Sequence, residues 1–121
     1  MMVLNRIKRF LKTKTTAEIK SFEDELTRRY GLKWYLYATS EGLPIIGNLE
    51  GYEELSAKVP ELFKVLSELE QSGRYIISGE TATYLLVRIV PDVILLAQTS
   101  RKLTPVEIYE LRERTKKELE L

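Results

Sequence analysis

Cysteine and histidine are both missing from the 121 residues. Without cysteine there are no disulfides and no thiolate chemistry, a composition that suits a reducing compartment. Without histidine the chain lacks the commonest general base and the commonest transition-metal ligand. Zinc sites are built almost entirely from those two residue types, so no zinc is expected. Aspartate is nearly missing too: sixteen Glu and two Asp stand against ten Lys and nine Arg, with two Asn and two Gln. Metal binding through Asp is therefore not expected. Many Glu, Lys and Arg with few labile amides is the composition of proteins from hot environments, which bears on stability and not on activity. No uncharged apolar run reaches the roughly 18 residues of a membrane span, and basic residues interrupt any signal-peptide core. A cytoplasmic location is the expectation.

The length fits one domain. Its formal net charge of +1 is unevenly spread. Residues 1–14, "MMVLNRIKRFLKTK", hold five bases and no acid, which leaves fourteen bases against eighteen acids in the rest. Val3, Leu4, Ile7, Phe10 and Leu11 fall at helical spacing with the bases mostly opposite. The sequence thus divides into a basic amphipathic N-terminal helix, 1–14, and a domain over 15–121 that ends in a helix. The first helix has two readings. It packs on its own domain or on a dimer mate, or it sets Arg6, Lys8, Arg9 and Lys12 against an anionic membrane or an acidic partner.

The next segment, "TTAEIKSFEDELTRRYG", has Thr15 or Thr16 as cap, Arg28 and Arg29 in its last turn, and Gly31 to end it. Ile19, Phe22, Leu26 and Tyr30 form its inner stripe. Strands follow over 33–39 and 43–49, joined by a short hairpin in which Gly42 takes positive φ. Pro44 starts the second strand and assigns it to a sheet edge. A long helix over 52–72 is expected to kink or break at Pro60, with Gly73 ending it. Three strands come next, "RYIIS", "TATYLLVRIV" and "VILLAQTS", with turns at Gly79-Glu80 and Pro91-Asp92. Thr104, Pro105 and Glu107 spell a capping box for the last helix, whose inner stripe is Ile108, Leu111, Thr115 and Leu119.

"YLLVRIV" and "VILLA" do not alternate apolar with polar, so both faces of the sheet are expected to be covered. The resulting fold class is α/β (α+β): three layers, α-β-α, with a five-stranded and mostly antiparallel sheet. The middle helix lies on one face and the first and last helices on the other. That middle helix is apolar over about 160° of its circumference, where about 100° serves a helix covering one surface. A second partner surface follows, most simply the same helix of another copy.

Catalytic templates fail. "ATSEGLPIIGNL" has glycines five apart, but a phosphate loop needs Lys and a hydroxyl after the second one, where Asn48 and Leu49 stand. It also joins strand to strand, so no helix N-terminus faces a phosphate. Carboxylate pairs such as Glu53/Glu54 and Glu110/Glu113 lie on polar helix faces and read as solvated charge. Arg74, Arg88 and Arg101 are available to act on a partner's nucleotide, but nothing singles one out. The main domain is acidic, so nucleic acid is not an expected partner. No catalytic, cofactor or metal residues are assigned.

With this order in place, "YLYATSEGLPIIGNL" and "YLLVRIVPDVILLAQT" resemble the strand–turn–strand and the later hairpin of the roadblock/dynein light chain domain family. The likeness covers roughly 16–99. Glu41 stands where the family has Asp, Pro60 interrupts the middle helix, and the first and last helices lie outside the minimal domain. The resemblance implies a roadblock-like or profilin-like fold and a homodimer through the middle helix and the strand after it: Tyr52, Ser56, Val59, Phe63, Leu66, Arg74, Ile76 and Ser78. It further implies a non-catalytic module, without cofactor, that regulates or scaffolds a Ras-like small GTPase or another NTPase. The competing expectation is a membrane or vesicle adaptor of longin-like or profilin-like type.

Overall fold

Strand β1, Leu32–Thr39, is the axis of the chain's packing, because from Tyr35 to Thr39 it is buried on both faces. A computed structural model of the protein describes residues 16–121. The basic segment with Arg6, Lys8, Arg9 and Lys12 lies outside these residues, as does Thr15. The described elements are α1 (Thr16–Tyr30), β1, β2 (Pro44–Gly47), α2 (Tyr52–Ser56), α3 (Val59–Leu69), β3 (Arg74–Ser78), β4 (Thr83–Val90), β5 (Val93–Thr99) and α4 (Pro105–Glu118).

The five strands form one sheet in the order β2-β1-β5-β4-β3, and every pairing is antiparallel. The short loops between β1 and β2, β3 and β4, and β4 and β5 allow only that sense. Central β5, buried along nearly its whole length, accounts for the non-alternating "VILLA". One face carries Phe22, Leu26 and Tyr30 of α1 and Ile108 and Leu111 of α4 over Tyr35, Tyr37, Val87 and Leu95. The other carries Val59 and Phe63 of α3 over Leu36, Ala38, Leu86 and Leu96. The three-layer expectation is thus met.

Local chemistry explains the boundaries. Gly31 ends α1 at φ 70°, and Gly42 turns the β1–β2 hairpin at φ 89°. In that hairpin the Thr39 hydroxyl accepts from the Leu43 N–H at 3.0 Å. Pro44 opens β2 at the sheet edge, where its missing N–H costs no ladder bond. Gly47 is held small by α2: a Cβ there would stand 2.7 Å from the Tyr52 ring. Thr104 caps α4 with the full capping box, and Pro105 occupies its first turn.

Two turns differ from expectation. The β3–β4 turn is not centred on Gly79-Glu80. Gly79 N–H donates to Ala82 O at 2.7 Å, so the tip falls one residue later. Gly73, with φ 75°, does not end the middle helix, which stops at Leu69; it turns the chain into β3 instead.

Candidate interaction surface

The middle helix is two helices. Pro60 has no N–H, which the first turn of a helix does not require, so it sits at the start of α3 and not inside a longer rod. The break falls just before it, where Lys58 N–H donates to Leu55 O at 2.9 Å and closes a tight turn. The short α2 places Tyr52 against the sheet and buries Ser56, whose hydroxyl donates to Tyr52 O at 2.7 Å.

Along α3, Val59 and Phe63 point inward, with Leu66 half-buried beside them. Phe63, 3% exposed, meets the Tyr75 ring edge-on at 5.5 Å and 74°. The Tyr75 hydroxyl donates to Glu70 O at 2.5 Å, which ties β3 to the end of α3. The Arg88 guanidinium stands 4.4 Å over the Phe63 ring. Ring, phenol and cation together fix α3 on the sheet.

This geometry corrects the expected interface. Ser56, Val59 and Phe63 are consumed by the chain's own sheet and offer no area to a partner, and Tyr52 packs mainly inward. The physical reason is helical spacing: positions 52, 56, 59, 63 and 66 are one ladder, and the sheet takes it. The apolar residues that remain outside lie on the adjoining flank of α3. Leu62 is 37%, Val65 56% and Leu69 80% exposed. At about 100° per residue they continue the inner ladder round the helix, so the excess width read from the sequence is real. The signal for them was there: Val65 lies farthest round from Val59.

β3, tied to the end of α3 through Tyr75, is the last strand of the sheet, with no strand on its outer side among the described residues. Arg74, Ile76 and Ser78 on it are exposed; Arg74 and Ile76 pair with Val87 and Leu85 and so share the α4 face, whereas Tyr75 faces α3. An open strand edge and an exposed apolar stripe are both features that can pair with another chain.

The opposite face holds the ionic chemistry in place. Tyr37 is buried, its hydroxyl 2.9 Å from that of Thr115, and burial pushes the phenol well above its ordinary range. Glu23 bonds the Tyr35 hydroxyl, and its carboxyl is raised first by burial and then by Asp24. Glu107 is lowered to about 2, chiefly by Arg101 and then by the Thr104 N–H. A carboxyl depressed below its ordinary 4.5 adds stability above that pH and loses it as the pH falls towards 2. The melting-temperature gap between the parent chain and Glu107→Ala is therefore expected to be full at pH 7, to shrink below pH 4.5 and to close near pH 2. A gap independent of pH would contradict the assignment. Among the described residues no group of three or more Asp and Glu is placed to hold a metal.

A five-stranded antiparallel sheet with α2 and α3 on one face and α1 and α4 on the other defines a fold with known relatives. The chain has the Roadblock/LC7 fold. MglB of Myxococcus xanthus superposes with a TM-score of 0.61 at 14% identity, over 86% of this chain and 84% of that one. The gliding protein MglB of Thermus thermophilus gives 0.61 at 11%, over 86% and 84%. A Roadblock/LC7 domain of Streptomyces avermitilis gives 0.58 at 8%, over 80% and 88%. In sequence, a protein of Archaeoglobus fulgidus described as uncharacterized is 35% identical over 107 residues, 88% of this chain. The chain spans 64% of the length of that relative. No family model matches the chain.

Proposed function

We propose that the chain is a non-catalytic, dimeric interaction module that regulates or scaffolds a Ras-like small GTPase or another NTPase. The observation that carries the reading is the exposed Leu62–Val65–Leu69 stripe together with the open edge of β3. Two copies related by a two-fold axis would join their β3 edges and cover both stripes at once. The fold supports the partner class through the family likeness. One solved relative, MglB, is described in a tetrameric arrangement, which favours self-association within this fold. The mechanism is differential binding: the dimer grips one nucleotide state of its partner and shifts the switch segments toward it.

The test begins with the tagged full chain in its native cells. NTPases that co-purify are isolated, and their hydrolysis rates are measured with and without the chain. A change in hydrolysis or nucleotide release, absent with the Val65→Glu/Leu69→Glu chain, is the expected result. Recovery of no NTPase, with no effect on any purified small GTPase from the same cells, would contradict the reading.

A further inference from the structure

The two flanks of α4 carry opposite charge arrangements. Toward α1, arginines are neutralised: Arg101 by Glu107, Arg114 by Glu25 and Glu118, and Arg29 by Glu25 and Glu110. Toward β3, Arg112 lines a cavity of about 260 Å³ together with Ser72, Arg74, Arg88 and Tyr109. Two arginines, Arg74 and Arg112, turn their charge to this space and no acid borders it; the Arg88 guanidinium lies over Phe63 on the other face of the sheet. Neither Arg74 nor Arg112 pairs with a carboxylate among the described residues. That runs against the chain's own balance, since residues 16–121 hold fourteen bases against eighteen acids.

The cavity is also partly organised in advance. Arg112 Nε donates to the Ile89 carbonyl at 3.0 Å, a neutral acceptor that fixes the guanidinium without cancelling its charge. The Ser72 hydroxyl donates to Arg74 O at 2.7 Å, which closes the turn that delivers Arg74. Size narrows the ligand. Pockets for drug-sized molecules begin at about 300 Å³, so this space suits a compact anionic group and not a whole nucleotide or a helix. Charge narrows it further. A carboxylate answers one guanidinium, whereas a phosphate brings up to two charges and several oxygens for planar forks.

We propose that this cavity binds a phosphate group, with Arg74 and Arg112 as its charged ligands and the Tyr109 hydroxyl as a neutral donor. The site lies on the α4 face of the sheet, away from the α3 stripe, and does not depend on the NTPase reading.

The full chain is titrated with inorganic pyrophosphate at fixed ionic strength, followed by calorimetry and by the NMR signals of arginine Nε–H groups. Saturable binding that shifts the Arg74 and Arg112 signals is expected. Arg74→Gln and Arg112→Gln should each weaken it at least about tenfold, the loss of one charge-assisted bond. Arg28→Gln, on α1, should not. Since Arg112→Gln also removes the bond to Ile89, exposed Arg74→Gln carries the test if the former unfolds. A second arm uses phosphatidylcholine vesicles carrying phosphatidic acid. Retention lost on Arg74→Gln marks a lipid headgroup as the source; pyrophosphate binding without such retention marks a free phosphate. Shifts no larger than those from chloride at equal ionic strength would overturn the proposal. So would binding that survives Arg74→Gln while the mass in solution changes, which would assign Arg74 to the β3 edge alone.

Discussion

Replacing Val65 and Leu69 together by glutamate is expected to give folded monomers. Both side chains are more than half exposed on the single chain, so neither is needed to hold α3 on its sheet. Full burial of a Val or Leu is worth roughly 1.5–3 kcal/mol. Val65 still has about half of that to gain and Leu69 most of it. A two-fold axis counts every contact twice, so the pair contributes on the order of 4–8 kcal/mol to association. Four carboxylates brought into the seam would add like-charge repulsion and desolvation. The dissociation constant should rise at least about a thousandfold. Circular dichroism should show the same fold and sedimentation the halved mass; an unchanged mass would remove the stripe from the interface.

Phe63→Ala is expected to act on the other side of the same helix and to a different end. It should cost about 3–5 kcal/mol of folding stability, the range for a buried aromatic truncated to alanine. Phe63 is enclosed by Val59, Tyr75 and the Arg88 guanidinium, so the loss opens a cavity and removes both an aromatic and a cation contact. Urea denaturation of the monomeric Val65→Glu/Leu69→Glu background isolates this effect from association. Leu69→Ala, measured in the same background, should change stability by no more than about 0.5 kcal/mol. A Phe63→Ala loss below about 1 kcal/mol would contradict the packing. The same geometry excludes Phe63→Glu as a probe of assembly, because it would bury a charge in the core and unfold the chain.

The sequence made most of the architecture legible where one local rule dominated. Thr104-Pro105-x-Glu107 could hardly be anything but a helix start, and it is one with every bond in place. Gly42 followed by Leu43-Pro44 marked a hairpin with an edge strand, since proline can spare its N–H only there. The unbroken apolar run in β5 pointed to a sheet covered on both sides. The surface was read less well, for a reason that lies in α3 itself. Periodicity shows how wide an apolar stripe is, but not which part of it the chain's own sheet will take. Phe63, expected at the interface, became the anchor once Tyr75 and Arg88 closed around it, while Leu62, Val65 and Leu69 were left outside. The cavity at Arg112 was not legible at all. Arg74 and Arg112 are distant in sequence and meet only because β3 pairs with β4 and α4 returns across them.

The central claim is that the exposed flank of α3 and the free edge of β3 exist to be covered by a second chain. Sedimentation equilibrium of the unaltered chain, over a concentration range that spans micromolar, measures this directly. A particle of twice the 14.1 kDa chain mass is expected, with dissociation only on dilution. A particle that stays at 14.1 kDa up to the highest concentration, with Leu62, Val65 and Leu69 in contact with water, would contradict it.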